Sequence, residues 1–349
     1  MKTPTAFLIG ANLFASMLAT PQVQASIWRV NSTPGYSSYP GTLQQLISNV
    51  ANDGDTVHVE ASAVPYGDIV CDKRLVFIGP GFKLGLPNGN SDLQASQLMA
   101  SLSSLTLNFN ATNSAIYGLR FTGSLSVLLN CAEAIIEGNF FESGALRFNS
   151  DLTFSNVMVR NNYFNGTGIS RYNVAQSFSS IFITNNVFNS SGINLSGSNA
   201  MVTSVIISHN VFNSTAQSNF CNVSGAEIGD NIFNCTNALA SISISMNNIH
   251  HNIAAGISML PNTNSNNNGV PESSIFTLTG SDDVRYTLIP LAILNFPASD
   301  GTQRGIYGGA VPYHLSGIPP VPTIYFLQAN GVALQGDTLQ VTIGTRSNN

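Results

Sequence analysis

The stretches VMVRNNYF (157–164), IFITNNVF (181–188) and VIISHNVF (205–212) are copies of one pattern, preceded by AIIEGNFF (134–141) and followed by AEIGDNIF (226–233). Each copy sets an apolar residue, any residue, an apolar residue and two mostly polar residues before Asn-x-Phe. The asparagines are Asn139, Asn162, Asn186, Asn210 and Asn231, at steps of 23, 24, 24 and 21 residues. The phenylalanines are Phe141, Phe164, Phe188, Phe212 and Phe233. A degenerate sixth copy, ISISMNNI (242–249), carries Asn247 and replaces Phe with Ile249. A fixed period of this size marks a solenoid of stacked turns.

One copy is too short to bury its own apolar face, so stacking must build the core. Val157 and Val159, Ile181 and Ile183, Val205 and Ile207, and Ala226 and Ile228 alternate with the period of a strand. The pattern predicts an all-β, right-handed parallel β-helix with strands about 4.8 Å apart from turn to turn. The Asn side chains then form an amide ladder of the cross-β kind, and the Phe rings stack beside it. A leucine-rich repeat needs regular Leu spacing, which is absent. A β-propeller needs about twice the period.

Residues 1–25 read as a secretory signal: Lys2, then the apolar AFLIGANLFASMLA, then Val23-Gln24-Ala25 as a small-residue cleavage site. The apolar stretch is short for a membrane span, so the expected mature chain is exported and not an integral membrane protein. The expected solenoid covers 26–311, with an N-terminal cap over about 26–60, and a Pro-rich arm with strands covers 312–349. In the cap, Leu43, Leu46, Ile47 and Val50 have helical spacing, and Asp53-Gly54-Asp55 ends that helix. Such a cap closes the open end of a solenoid.

Charged residues make up 8% of the chain and the net charge is −5. That excludes the basic footprint nucleic acid requires. Cys71, Cys131, Cys221 and Cys235 show no C-x-x-C spacing, so zinc or redox chemistry is not expected. Cys221 and Cys235 share a turn and either pair or serve as small buried apolar residues. Eight Asn-x-Ser/Thr sequons, Asn165 and Asn213 among them, are what so Asn- and Ser-rich a composition produces.

The order of amphipathic helix, GDTVHV (54–59), YGDI (66–69) and LVFIGPG (75–81) resembles the start of pectate-lyase-like right-handed β-helix proteins. The Asn-x-Phe turns are similar to those of the same superfamily. DGTQRGIYGGAVPYHLSGIPPVPTIY (300–325) resembles the end of exported β-helix-repeat proteins of Bacteroidetes. The resemblance spans nearly all of the mature chain. It implies the fold, but the superfamily includes lyases, hydrolases, esterases and adhesins. Its lyases use clustered acidic calcium ligands and an Arg or Lys base; here Arg160 is isolated, calcium has no supporting cluster, and no cofactor is expected. Its polygalacturonase-like hydrolases carry N-T-D, D-D, G-H-G and R-I-K; only Asp282-Asp283 is present, and it reads as a turn cap.

With the Asn and the alternating apolar positions inward, outward stripes follow. One brings His209 and Asp230 onto adjacent turns with Glu227 nearby, a set that could act as acid and base. The alternative is a solvated surface pair. His250-His251 could attract a metal, but neighbours in a strand point to opposite faces, and no metal site is expected. Another stripe, Ile135, Met158, Phe182 and Ile206, forms an apolar ridge. A ridge of this kind is expected to be covered by the C-terminal arm or by a partner. Tyr163 and Tyr172 are scattered candidates for sugar stacking.

Two function classes follow. The first is a non-enzymatic surface or extracellular rod for adhesion or assembly, with a cell-surface protein as partner. The second is a carbohydrate-active enzyme or polysaccharide-binding protein that uses the β-helix groove.

Overall fold

A computed structural model describes residues 25–348 apart from 36–38, 86, 88, 150–152, 173–175, 197–200, 215–218, 236–240, 244–245 and 330–337. The signal-like residues 1–24 therefore lie outside the described residues. The chain forms a parallel β-solenoid with three sheets, of eleven, eight and eight strands.

Each central turn contributes to all three sheets. Val205–Ser208 lies in the first, Val211–Asn213 in the second and Asn219–Asn222 in the third. Strands pair in parallel with their sequence repeats: Val205, Ile206, Ile207 and Ser208 face Ile181, Phe182, Ile183 and Thr184 of the turn before. The inward column of the first sheet reads Ile116, Ile136, Val159, Ile183, Ile207, Ile228 and Ile249. All seven are buried.

The corner between the first two sheets explains the signature. There the backbone adopts positive φ at Gly138, Asn161, Asn185, His209, Asp230 and His251. Gly, Asn, Asp and His are the residues that tolerate this conformation best. The following Asn turns inward. Asn186 Nδ2 donates to Asn210 Oδ1 at 3.0 Å and to the Val159 carbonyl at 2.8 Å. Its own Oδ1 accepts from the backbone N–H and Nδ2 of Asn162, both at 3.0 Å. The same bonding runs through Asn139, Asn162, Asn186, Asn210 and Asn231. Beside it the rings of Phe121, Phe141, Phe164, Phe188, Phe212 and Phe233 stack at centroid spacings of 5.3, 4.4, 4.9, 4.7 and 4.9 Å.

The sixth rung is Asn252, not Asn247. Asn231 Nδ2 donates to Asn252 Oδ1 at 3.0 Å, and Asn252 in turn donates to Asn266 Oδ1 at 3.1 Å. The step from Asn231 is again 21 residues. Asn247 caps a different bend, accepting from the Ala226 N–H at 2.8 Å and donating to the Val223 carbonyl at 2.9 Å. The sixth Phe position is filled by Ala254, paired with Phe233.

A second, outer amide row gives the asparagines of four of the eight sequons a structural role. Asn189 donates to Asn165 at 2.8 Å, Asn213 to Asn189 at 2.9 Å and Asn234 to Asn213 at 2.8 Å. All four asparagines begin Asn-x-Ser/Thr triplets. The four cysteines are buried and no disulfide joins them. Cys221 stands in register with Ile193 and Ile242 in the inward column of the third sheet, as a small apolar residue would.

Helix α1 (Leu43–Asn49) closes the N-terminal end with Leu43, Leu46 and Ile47 buried. Thr42 and Gln45 form a reciprocal capping box. The last turn ends with the strand Ile253–Ala254. Beyond it the chain lays a covering layer over the outer face of the second sheet, including helix α2 (Pro290–Asn295). Two strands, Thr323–Ala329 and Val341–Arg346, then pair as an antiparallel hairpin.

Candidate functional site

The covering layer hides a stripe that the sequence pattern treated as free. The residue after each ladder Asn points outward from the second sheet: Phe140, Tyr163, Val187, Val211, Ile232 and Ile253. These pack in one buried cluster with Ile275, Phe276, Tyr286, Leu288, Ile306 and Tyr313 of the layer. This face is therefore covered by a segment most of which precedes the expected arm at 312–349, and Ile135, Met158, Phe182 and Ile206 are not part of that buried cluster. The reason is chemical: the x of Asn-x-Phe is as apolar as the ridge, and it forms a longer column. Tyr163 is sealed beneath the layer. Tyr172 is 66% exposed, with the Arg147 guanidinium 5.9 Å from its ring centre.

Asp283 is the hub that seats the layer. Its Oδ1 accepts from Asn90 Nδ2 at 2.8 Å and Ser281 Oγ at 2.8 Å, and its Oδ2 accepts from the Ser316 N–H at 2.8 Å. It also caps a short helical turn by accepting from the Val284 N–H at 3.1 Å, as the turn reading expected. Lys83 pairs with the neighbouring Asp282 and lies 4.1 Å from the Tyr163 ring centre.

His209 and Asp230 do occupy adjacent turns, with Nε2 and Oδ2 3.9 Å apart. They are 7% and 3% exposed, because the layer runs over them. Asp230 Oδ1 accepts from the Ser299 N–H at 2.7 Å and Oδ2 from Ser299 Oγ at 2.6 Å. His209 Nε2 also faces Asp300 Oδ2 at 3.4 Å, and Gly308 and Gly309 pack against its ring. Asn185, one turn earlier, donates to the carbonyls of Ile306 and Gly308 at 2.9 and 2.8 Å. This corner column is a seam for the layer. Burial works against the Asp300 charge, yet hydrogen bonds from the Thr302 hydroxyl and N–H and the nearby His209 hold its carboxyl below the ordinary range.

Glu227 does not join that pair. It lies on the outer face of the first sheet and meets His250 Nε2 at 3.2 Å. His250 and His251 do not diverge as strand neighbours would. His251 turns at φ 51, and the two Nδ1 atoms come within 3.3 Å. Burial, with Arg304 and His250 nearby and Asp230 opposing, depresses the His251 titration. Among the described residues no group of three or more His, Cys, Asp or Glu converges as a metal site.

The ridge lies where expected, in register. Ile135 faces Met158, Met158 faces Phe182, and Phe182 faces Ile206. Phe182 is 36% exposed and the others are half-buried. The covering layer forms one wall beside it. Arg160, Phe182, Thr184, Ile206, Ser208, Asp300 and Val311 line a cleft of about 280 Å³. Arg160 is held there by Glu137 at 2.8 Å. Toward the N-terminal end of the same face a larger cleft, about 680 Å³, opens between the first turns and 319–324. His58, Arg29, Glu60, Gln94, Pro319 and Pro322 are among its walls. Burial and the Arg29 guanidinium depress the His58 titration.

No protein-family model matches this chain, and no curated protein or solved structure matches it. The geometry defines a parallel β-solenoid, and the chemistry of its surface is the ground for function.

Proposed function

We propose that the chain is an exported, non-enzymatic rod that holds an extended, uncharged partner, a neutral polysaccharide strand first, along the outer face of its first sheet. The observation that carries this reading is the straight, half-exposed ridge of Ile135, Met158, Phe182 and Ile206, flanked by clefts at two levels of the solenoid. A row of side chains at strand spacing fits an extended chain better than a compact ligand. The Phe182 ring offers an apolar platform beside the hydroxyls of Thr184 and Ser208. The Glu137–Arg160 pair cancels its own charge, which disfavours acidic polymers. The acid–base candidates His209 and Asp230 are engaged under the covering layer, which supports binding over catalysis.

A specific observation favours assembly as a second role. The C-terminal hairpin exposes Ile324, Phe326, Leu327, Val341 and Ile343 at 43–58%. A lone two-stranded hairpin is marginal in water, and its free edges suit addition to a partner's sheet.

The test is affinity electrophoresis of the chain from Ser26 through neutral and acidic polysaccharides, with and without calcium, alongside an assay for new chain ends. Retardation by a neutral polymer, lost in Phe182→Ala and Met158→Ser, with no new chain ends, is the expected result. New chain ends that disappear in Asp230→Asn would make the protein an enzyme.

A further inference from the structure

The first strand, Ile27–Val30, begins directly after the small-residue motif Val23-Gln24-Ala25. Ser26 is exposed, yet it is the first residue locked into the solenoid: its carbonyl accepts from the Thr56 N–H at 2.9 Å. Its nitrogen donates to Asp55 Oδ1 at 2.7 Å. Asp55 is 1% exposed. Its other oxygen accepts from the Trp28 indole N–H at 2.8 Å and the Asn52 N–H at 2.9 Å. Lys73, the cation that acts on Asp55, is itself committed to the carbonyls of Ile47 and Ala51 at 2.8 and 2.6 Å. A buried carboxylate thus accepts three neutral donors, and one of them is the nitrogen at the expected cleavage point. Buried carboxylates are costly without a positive partner.

We propose that Asp55 is the seat of the processed N terminus, and that cleavage between Ala25 and Ser26 completes the fold by delivering a positive charge to it. The step is a hydrolysis by an export-coupled endopeptidase that cuts after small residues. Water adds across the Ala25–Ser26 peptide bond: its oxygen joins the Ala25 carbonyl carbon, which leaves as a carboxylate, and both of its protons pass to the Ser26 nitrogen, which becomes an ammonium. The bond to Asp55 Oδ1 changes from amide–carboxylate to ammonium–carboxylate without moving either atom. The amide bond is already assisted by the carboxylate charge, and the ammonium adds the second charge that makes it an ion pair. The inference rests on the export reading and is independent of what the ridge binds.

Two measurements separate its parts. The N-terminal residue of the exported protein, read by mass spectrometry, is Ser26; any other start overturns the processing site. Thermal unfolding is then compared for the chain starting at Ser26, the same chain acetylated at that amine, and one extended upstream through Val23. The Ser26 chain melts roughly 2 °C or more above the other two near neutral pH. The sign follows from the amine: pairing raises its folded titration above the ordinary value of about 7.7–8.0, so the advantage is full below that value and is lost as pH rises through the folded one. Asp55→Asn abolishes the difference between the free and acetylated chains. Equal melting of the three chains at every pH overturns the seat even when Ser26 is the true start. Acetylation leaves the sequence intact, so the test survives if Asp55→Asn fails to fold.

Discussion

His209 Nε2 lies 3.4 Å from Asp300 Oδ2, joining a corner of the solenoid to the layer that covers it. Asp230 faces the same nitrogen at 3.9 Å, and Arg304 and His251 are the other charged or titratable groups acting on Asp230. Asp300 titrates below the ordinary range, so its half of the pair persists into acid and is lost only as pH falls through that depressed value. Contact between the layer and the corner therefore holds through mildly acid solution and weakens as pH falls from the ordinary carboxylate value through the depressed Asp300 one. Hydrogen exchange of 298–311, corrected for intrinsic rates, is expected to be slower at about pH 5.5 than at about pH 2.5. Asp300→Asn, which keeps the size of the side chain and removes its charge, is expected to reduce that difference.

Asn186→Ala in the middle of the inner ladder strands the Asn162 N–H and the Val159 carbonyl inside the coil. Each buried orphan costs about 1–3 kcal/mol. The expected loss is about 3 kcal/mol or more in denaturant unfolding. Asn247→Ala, off the ladder and half-buried, is expected to cost about 1 kcal/mol.

These two positions show what the sequence could and could not reveal. Five copies of Asn-x-Phe made the solenoid, the ladder and the ring stack legible, because each rung repeats one local environment. The sixth rung was misplaced because Asn247 and Asn252 both follow an apolar-containing run, and only a hydrogen-bonding neighbour tells them apart. The covering layer was hidden for a related reason. A position such as 140, 163 or 187 looks variable one copy at a time, and its apolar column emerges only when turns are stacked. The local corner was legible at His209 and Asp230, but a loop around Ser299 and Asp300, distant in sequence, decides that the pair is buried. Strand periodicity likewise could not foresee the bend at His251 that brings it to His250.

Asp283→Ala removes the hub that ties Asn90, Ser281 and Ser316 together. The buried donors left without an acceptor are expected to cost about 2 kcal/mol or more. Limited proteolysis should then cut within 281–318 sooner than in the wild type, while the solenoid strands stay protected.

The four thiols are expected to resist iodoacetamide at neutral pH until the chain is unfolded. All are buried, and burial pushes Cys71 up to about 11 and Cys131 up to about 12. Thiolate is the reacting form, so full labelling should coincide with loss of structure. Rapid labelling of the native protein would contradict the interior placement of these residues.

Phe182→Ala is expected to lower stability by about 1 kcal/mol or less, because the ring is 36% exposed. Phe188→Ala, one of the stacked interior rings, is expected to cost about 3–5 kcal/mol. Loss of polymer retention in the first variant, with an unchanged melting curve, would separate the surface role of Phe182 from the structural role of the stack.

The inner amide row and the outer row through Asn165 run in opposite senses. Inside, each Asn donates toward the C-terminal end, as Asn162 does to Asn186; outside, each donates toward the N-terminal end, as Asn213 does to Asn189. Aligned amides polarise one another along a row, but here the dipoles of neighbouring rows point against each other. The rod gains the cohesion of both rows while much of the axial field of one offsets that of the other. Along the turns they share, the two rows therefore add cohesion without adding their dipoles.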